Sequence, residues 1–312
     1  MRIIVTGSIA YDYLMSFPGS FTEHILPEHL SRISLSFLVD TMDKRRGGCA
    51  PNIAYTLALL GERPVLMATA GQDFPEYRVW LEQHGVDTSL VREIAGKFSA
   101  SFFCSSDRDN NQIASFYTGA MAHAAELSFA DAGTCDLAII SPNDPTAMVK
   151  YAQECRRLGI NYIYDPGQQC ARSTGEELRE GIVGAHMLIC NDYEYELIRQ
   201  KTGLDAAAIL ERSEAIIVTR GEHGSTVWTR ADEYTVAAVP PAREADPTGV
   251  GDAFRAGFLR GLALGAGYQV SAQIGSVAAA YVLEQTGAQA HFFSWPEFVR
   301  RYEQYFGPTL PA

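Results

Sequence analysis

The pattern that most constrains this chain is a series of short apolar runs separated by segments with helical periodicity. The apolar runs occupy residues 3–8, 137–141, 162–164, 187–190 and 215–219. Helical segments, among them 145–158 and 193–202, lie between them. Continuous apolar runs are typical of strands buried on both faces, and their alternation with helices indicates βαβ units with right-handed crossovers. The sequence therefore predicts an α/β fold with a mostly parallel central sheet.

Several polar residues come at or just after the ends of predicted strands. They are Asp12, Asp165, Asn191 and Thr219. In open parallel sheets, ligands bind outside the carboxyl ends of the strands. We therefore expect these four side chains to face one site.

Two parts of the chain break the alternation of strands and helices. Residues 35–40, and residues 99–105 with 112–118, are predicted to form antiparallel strands. The last two are joined by a turn cluster, Arg-Asp-Asn-Asn, at 108–111. We interpret these pieces as a small β lid over the open end of the sheet. The lid is expected to span about residues 12–45 and 95–120 of a single domain that covers residues 1–312.

Composition and charge limit the class of partner. The net charge of −12 argues against a nucleic-acid backbone, which needs clustered Lys and Arg, but not against a nucleotide ligand. The six cysteines show no metal-ligand spacing, and they are expected to be reduced. No apolar run is long enough to span a bilayer. These features predict a cytoplasmic monomer or homodimer with no membrane and no nucleic-acid partner.

A glycine-containing loop runs directly into a helix at residues 246–254, Asp-Pro-Thr-Gly-Val-Gly-Asp-Ala-Phe. Small residues let the backbone approach an anion closely, and the free N–H groups and the dipole of the helix favour negative charge there. The same segment carries the carboxylate of Asp252, which could take a proton from a hydroxyl beside a bound phosphate. A glycine-rich turn with Asp252 as a helix cap is the alternative interpretation.

A second glycine-containing loop begins a small-residue helix within residues 46–61. Asn52 falls in the first turn of this helix and can point its amide at a hydroxyl. Together, the two segments resemble the signatures of the ribokinase-like (PfkB) family of carbohydrate and nucleoside kinases. Their order and separation also fit, and the resemblance covers nearly the whole chain.

The resemblance implies a three-layer α/β sandwich with a small inserted β lid, and phosphoryl transfer from ATP to a primary hydroxyl. It implies that Asp252 is the general base and that Gly249, Val250 and Gly251 hold the γ-phosphoryl group. Val250 departs from the small residue, often alanine, that the family usually has at this position. The implied acceptor-binding residues are Asp12, Gly47, Gly48 and Asn52.

The resemblance also implies a nucleotide site. Asn191 and Glu194 match the family's Asn-x-x-Glu motif, which helps to position Mg²⁺ and phosphate through water. A helix capping box explains the same pair. Thr219 and Gly221 match the family's nucleotide-contact loop, for which a plain glycine-rich hairpin is the alternative. The implied cofactors are ATP and Mg²⁺, with a monovalent cation such as K⁺ as a further candidate.

The acceptor is predicted from the lid. Residues 109–121 resemble the lid segment of prokaryotic nucleoside kinases within the family. An aromatic slot for a nucleobase could be formed by Phe37, Phe102, Phe116 and Tyr117. We therefore favour a ribose-containing nucleoside, with adenosine first. A free-sugar kinase for ribose, fructose or 2-keto-3-deoxygluconate, and a non-catalytic nucleoside-binding regulator, are the alternatives.

Overall fold

The computed structural model describes residues 1–25, 32, 34–308 and 310–311. Within these residues, nine strands form one twisted sheet in the order β13-β12-β11-β10-β9-β8-β1-β4-β5. They are β1 (Ile3–Thr6), β4 (Val65–Ala70), β5 (Asp87–Glu93), β8 (Leu137–Ile140), β9 (Asn161–Tyr164), β10 (Met187–Asn191), β11 (Ala215–Thr219), β12 (Ser225–Thr229) and β13 (Glu233–Val236). The strands from β11 to β5 run parallel, and β12 is antiparallel to both of its neighbours. The predicted parallel sheet is confirmed.

Helices cover both faces of this sheet. They are α1 (Cys49–Leu59), α2 (Pro75–Gln83), α3 (Pro145–Leu158), α4 (Gly175–Ile182), α5 (Asp192–Thr202), α6 (Ala206–Leu210), α7 (Val250–Ala263), α8 (Tyr268–Leu283) and α9 (Trp295–Phe306). Successive residues of a strand face opposite layers, so Val5 packs in the cluster of α1 and α7 and Ile4 in the cluster of α3. The three-layer arrangement is therefore the one that the family resemblance implies.

Local signals explain where the helices begin and end. α3 starts after Asp144, whose carboxylate accepts a hydrogen bond from the Ala147 N–H at 3.0 Å, and it has proline at its first position. It ends at Gly159, which adopts a left-handed conformation with φ of 69°. Its bounds agree with the prediction because every one of these signals is local.

A second sheet has four strands among the described residues, in the order β3-β2-β6-β7. They are β2 (Ala10–Ser16), β3 (Thr41–Gly47), β6 (Ala100–Ser106) and β7 (Gln112–Tyr117). The turn between β6 and β7 holds Asn110 at a φ of 62°, a conformation that asparagine tolerates well. Of the predicted lid segment 12–45, residues 26–31 and 33 lie outside the described residues.

The predicted strand at 35–40 is wrong, because β3 begins only at Thr41. Phe37 packs its ring against Phe17 and Phe21, with ring centroids 5.0 and 4.8 Å apart. Within this segment, Phe37 belongs to an aromatic cluster, whereas Leu35 and Leu38 are exposed. Residues 10–16, for which no strand was predicted, form β2.

The passage from the second sheet into the main domain is tight. β3 ends at Gly47 and α1 begins two residues later. Gly48 between them has a φ of 98°, and a Cβ on it would lie 2.4 Å from the Ser8 carbonyl oxygen. Only glycine fits there, so this glycine holds the start of α1 against the end of β1.

Candidate active site

A cavity of about 640 Å³ lies where the two sheets meet. Its floor is formed by residues at or beyond the carboxyl ends of the parallel strands, namely Ser8, Asp165, Asn191 and Thr219. Its roof is the inner face of the second sheet, and the first turns of α1 and α7 close one side. This is the edge at which open α/β sheets bind their ligands.

The cavity brings most of the predicted site residues together. Those that line it are Asp12, Gly48, Asn52, Asn191, Glu194, Thr219, Gly249, Gly251 and Asp252. The other three predicted residues lie outside this lining. Gly47 is adjacent to it, where a Cβ would come 2.7 Å from Asp12 Oδ2. Val250 packs against the apolar cluster of α8 and α9, and Gly221 begins a short helix after β11.

Asp12 reaches the cavity in a different way from the one predicted. It lies within β2, in register with Arg45 of β3 and Phe102 of β6, and not at the end of a strand of the main sheet. The prediction that Asp12 follows the end of a strand was wrong, because the residues after Ile9 form β2. Burial raises the pKa of Asp12, and the guanidinium of Arg45 opposes that rise.

The first turn of α7 has the geometry of an anion site. Gly249 precedes it with a φ of 82°, and a Cβ there would lie 2.4 Å from the Ala288 Cβ. The N–H groups of a first helical turn have no acceptor within the helix, and those of Gly251 and Asp252 belong to this turn. The Val250 N–H instead donates to the Pro247 carbonyl at 3.3 Å.

Asp252 lies in this first turn, facing α1. Its Oδ2 accepts a hydrogen bond from the Asn52 Nδ2 at 2.9 Å. Burial raises the pKa of Asp252 to about 7, although the Arg255 guanidinium and the Asn52 hydrogen bond pull it downward. The nearby charges of Asp165 and Glu194 add to the rise. The carboxyl can therefore exchange a proton near neutral pH.

Arg255 is a central residue of the site that the sequence analysis missed. It is buried, and its Nε and Nη2 donate to the two oxygens of Asp165, each at 2.6 Å. Its Nη1 donates to the Gly251 carbonyl at 3.0 Å. Burial would lower the pKa of Arg255, but Asp165 and Glu194 raise it above its usual range. A basic residue one turn after Asp252 in an otherwise apolar stretch was the available signal.

Asn191 and Glu194 form the capping box that was the alternative interpretation of their spacing. The Glu194 N–H donates to Asn191 Oδ1 at 2.7 Å, and the Asn191 N–H donates to Glu194 Oε2 at 2.9 Å. Both residues also line the cavity. Burial raises the pKa of Glu194, whose carboxylate is the type of oxygen ligand that a hydrated Mg²⁺ accepts.

The predicted aromatic slot is present only in part. Asp12, Phe102 and Phe116 stand opposite one another across β2, β6 and β7, and all three line the cavity. Tyr117 is the next residue of β7, so its side chain faces the other side of the sheet. Phe37 belongs to the separate aromatic cluster with Phe17 and Phe21.

Further polar residues face the cavity from the segment after β9, and no pattern in the sequence identified them. They are Gln168, Gln169 and Arg172. Cys49 also lines the cavity, and burial raises its pKa well above the usual range, so its thiol stays protonated.

Residues 11–294 match the pfkB family of carbohydrate kinases. The chain belongs to this family. It is a phosphotransferase with an alcohol group as acceptor, as the resemblance implied. Among its described residues, no helix is both long and apolar enough to cross a membrane.

The chain is also similar in sequence and structure to known nucleoside kinases. It is 38% identical to the nucleoside kinase of Burkholderia thailandensis in complex with inosine, with a TM-score of 0.87 and 98% of each chain covered. The structure of that enzyme in complex with ADP-inosine gives a TM-score of 0.85 at 38% identity, covering 100% of this chain and 99% of the other. The nucleoside kinase of Methanocaldococcus jannaschii is 29% identical over 307 residues, which are 97% of each protein.

Proposed function

We propose that this kinase transfers the γ-phosphoryl group of ATP to the primary hydroxyl of a purine nucleoside, with Asp252 as the general base. The observation that carries the proposal is the position of the Asp252 carboxyl. It lies in the first turn of α7, beside free N–H groups, and faces the same cavity as Asp12. A carboxylate next to an anion site can take the proton of a hydroxyl while the phosphoryl group is held.

We place Asp252 between the acceptor and nucleotide ends of the cavity. At one end, Asp12 and Gly48 offer a carboxylate and a close backbone approach for ribose hydroxyls. At the other end, Asn191 and Thr219 are the last residues of the neighbouring parallel strands β10 and β11, and Glu194 lies in the first turn of α5. ATP would extend its phosphates from there toward Gly251. The acceptor hydroxyl would then lie between the γ-phosphoryl group and Asp252, so that the base can take its proton as the in-line transfer proceeds.

The pKa of Asp252 suits this role. A base with a pKa of about 7 is substantially ionised at neutral pH and still basic enough to hold the proton it receives. Arg255 stays ionised but is paired with Asp165, so Asp252 is left without an ion-pair partner of its own in the part of the chain that the structure describes. Glu194 would hold Mg²⁺ through water, and bound Mg²⁺ supplies neutralisation of phosphate charge. A dependence on K⁺ is tested by replacing it with choline in the assay.

A nucleoside acceptor is supported by two observations. Phe102 and Phe116 put aromatic rings on the cavity face of the second sheet. The Burkholderia thailandensis relative is a nucleoside kinase that has been solved with inosine. We infer that adenosine, which the sequence analysis placed first, and inosine are both substrates.

The test is a substrate panel with ATP and Mg²⁺. Adenosine or inosine is expected to exceed ribose, fructose and 2-keto-3-deoxygluconate in kcat/KM by roughly 5- to 150-fold, the equivalent of about 1–3 kcal/mol of base stacking. A kcat/KM tenfold higher for a free sugar contradicts the nucleoside acceptor but not the kinase activity. Tight inosine binding without ADP release indicates a regulator.

A matched pair of variants tests the aromatic contact. Phe116→Leu is expected to lower kcat/KM for nucleosides more than for ribose, because a ring that lines the cavity is lost. Phe103→Leu is the control. Phe103 is similarly exposed, 40% against 42%, but its ring stacks on Tyr13 outside the cavity lining. Equal effects of the two substitutions contradict base stacking on Phe116.

A further inference from the structure

A buried chain of hydrogen bonds ends on Asp252 and joins four distant parts of the sequence. Gln289 Nε2 donates to Asn52 Oδ1 at 2.9 Å and also to the Tyr77 hydroxyl. The Tyr77 hydroxyl donates to the Gly47 carbonyl at 3.1 Å. Asn52 Nδ2 donates to Asp252 Oδ2 at 2.9 Å. The side chains of Tyr77, Asn52 and Gln289 are all buried.

The direction of every bond in this chain is set by its two ends. The Gly47 carbonyl and the ionised Asp252 carboxylate can only accept. Tyr77 must therefore donate to Gly47, so its oxygen is left to accept. Asn52 must turn its NH₂ group to Asp252, so its Oδ1 needs a donor from elsewhere. The NH₂ group of Gln289 lies between them and donates one hydrogen bond to the Tyr77 oxygen and one to Asn52 Oδ1.

The opposite orientation of Gln289 would break the chain. Its Oε1 would then face Asn52 Oδ1, and two acceptors would meet in a buried place. In the observed orientation, Oε1 has no partner among the described residues, so the two bonds from NH₂ alone orient this amide. The orientation of Asn52 follows from it.

We propose that Gln289, supported by Tyr77, is a positioning residue that keeps the NH₂ group of Asn52 on Asp252 Oδ2 and leaves Oδ1 as the oxygen that takes the proton of the acceptor hydroxyl. The role in catalysis rests on the proposed function of Asp252. The proton moves from the hydroxyl oxygen to Oδ1, and the hydroxyl oxygen forms the new bond to phosphorus as the bond to ADP breaks. Because the Asn52 NH₂ group cannot accept a proton, the proton stays on the cavity side and leaves from there.

Three charged groups and one neutral thiol face Asp252 but do not depend on Gln289. Arg255 reaches it from α7, Asp165 from the segment after β9 and Glu194 from α5, while the Cys49 thiol approaches from α1. A substitution at Gln289 leaves all four in place. A change in the titration of Asp252 in that variant therefore reports on the Asn52 hydrogen bond.

The test compares Gln289→Met with the wild-type protein. Methionine has a similar length and no donor, so Asn52 loses the bond that orients it. The ascending limb of kcat/KM against pH is expected to move upward by about 0.5–1 pH unit, since the lost hydrogen bond favoured the ionised form. The ¹³C signal of the Asp252 carboxyl, assigned by its loss in Asp252→Asn, should titrate with the same upward shift. In an Asn52→Leu background, Gln289→Met should add no further shift.

Tyr77→Phe covers the case in which Gln289→Met does not fold, and it should give a smaller shift in the same direction. Its matched control is Tyr151→Phe, which removes another buried hydroxyl bonded to a backbone carbonyl, that of Ala124, outside the cavity lining. The control should lower Tm without moving the limb. An unchanged Asp252 titration in Gln289→Met overturns the proposal. If Gln289→Met does not fold, the proposal is overturned when Tyr77→Phe shifts the Asp252 titration no more than Tyr151→Phe does. If Asp252→Asn keeps its turnover, the proposed base fails instead, and the ¹³C titration still decides whether Gln289 orients Asn52.

Discussion

Asp165 and Asp252 lie near the same guanidinium but have different partners. Asp165 accepts hydrogen bonds from the Nε and the Nη2 of Arg255, and this ion pair is buried. Asp252 accepts from Asn52 and has no ion pair of its own among the described residues. Burial therefore raises its pKa to about 7. One carboxylate neutralises the arginine, and the other stays available for proton transfer.

Asp252→Asn is expected to lose activity and gain stability at the same time. Turnover should fall about 10²–10⁴-fold without the base. Because the pKa of Asp252 is raised, the folded protein holds a proton that the unfolded chain loses above about pH 4. The contribution of this group to the free energy of unfolding is therefore fully present below about pH 4 and is lost as the pH rises through about 7. Asparagine cannot ionise, so the variant should have the higher Tm at pH 8 and an equal Tm at pH 4.

Calorimetry at both pH values and a steady-state assay check this prediction. Asp43→Asn is the control, because that side chain is 66% exposed and its substitution should change neither quantity. Wild-type kcat in Asp252→Asn contradicts the assignment of the base.

At the scale of elements, α7 is held by polar contacts at its active-site end. Arg255 joins it to the segment after β9, and Asp252 joins it to α1. Gly249 lets the preceding loop pass close to Ala288. These contacts fix the first turn of the helix, where Gly249, Gly251 and Asp252 line the cavity.

Asp165→Ala is expected to destabilise the fold strongly. It removes the carboxylate that accepts two hydrogen bonds from the buried Arg255, and the loss of one partner of a buried ion pair typically costs about 3–5 kcal/mol in the free energy of unfolding. Asp43→Ala breaks the exposed contact of Asp43 with Arg45 and should cost about 0–1 kcal/mol. Denaturant unfolding of both variants measures the difference. Similar midpoints would contradict a structural role for the buried pair.

At the scale of the molecule, the second sheet is built from segments that leave the main sheet and return to it. β2 follows β1 directly, and β3 leads straight into α1. Its inner face roofs the cavity, while every residue of β7 is exposed. We propose that this sheet is a lid that closes over the acceptor, since a kinase must exclude water from the phosphoryl group.

Hydrogen exchange tests the lid. Amide exchange in β6 and β7 is expected to slow when inosine or adenosine binds, because closure orders these strands. β13, the edge strand of the main sheet, is the internal control and should not change. A protein that exchanges equally with and without nucleoside in β6 and β7 does not have a closing lid.

Much of this architecture was already determined by the sequence. Apolar runs, helix caps and the alternation of strands with helices predict the main sheet and both ends of α3, because they act between residues a few positions apart. The two glycine-containing loops also stand out, since Gly48 and Gly249 adopt positive φ beside atoms that exclude a Cβ. Family resemblance adds Asp252 as a candidate base.

The tertiary structure decided what surrounds that base. The contact of Asn52 with Asp252 spans 200 positions, that of Arg255 with Asp165 spans 90, and that of Gln289 with Asn52 spans 237. No local pattern encodes which of these polar side chains meet, or that Phe37 joins an aromatic cluster while Thr41–Gly47 form the strand. Packing brings these groups together out of water, and only there do burial and hydrogen bonds determine the protonation and orientation of each group.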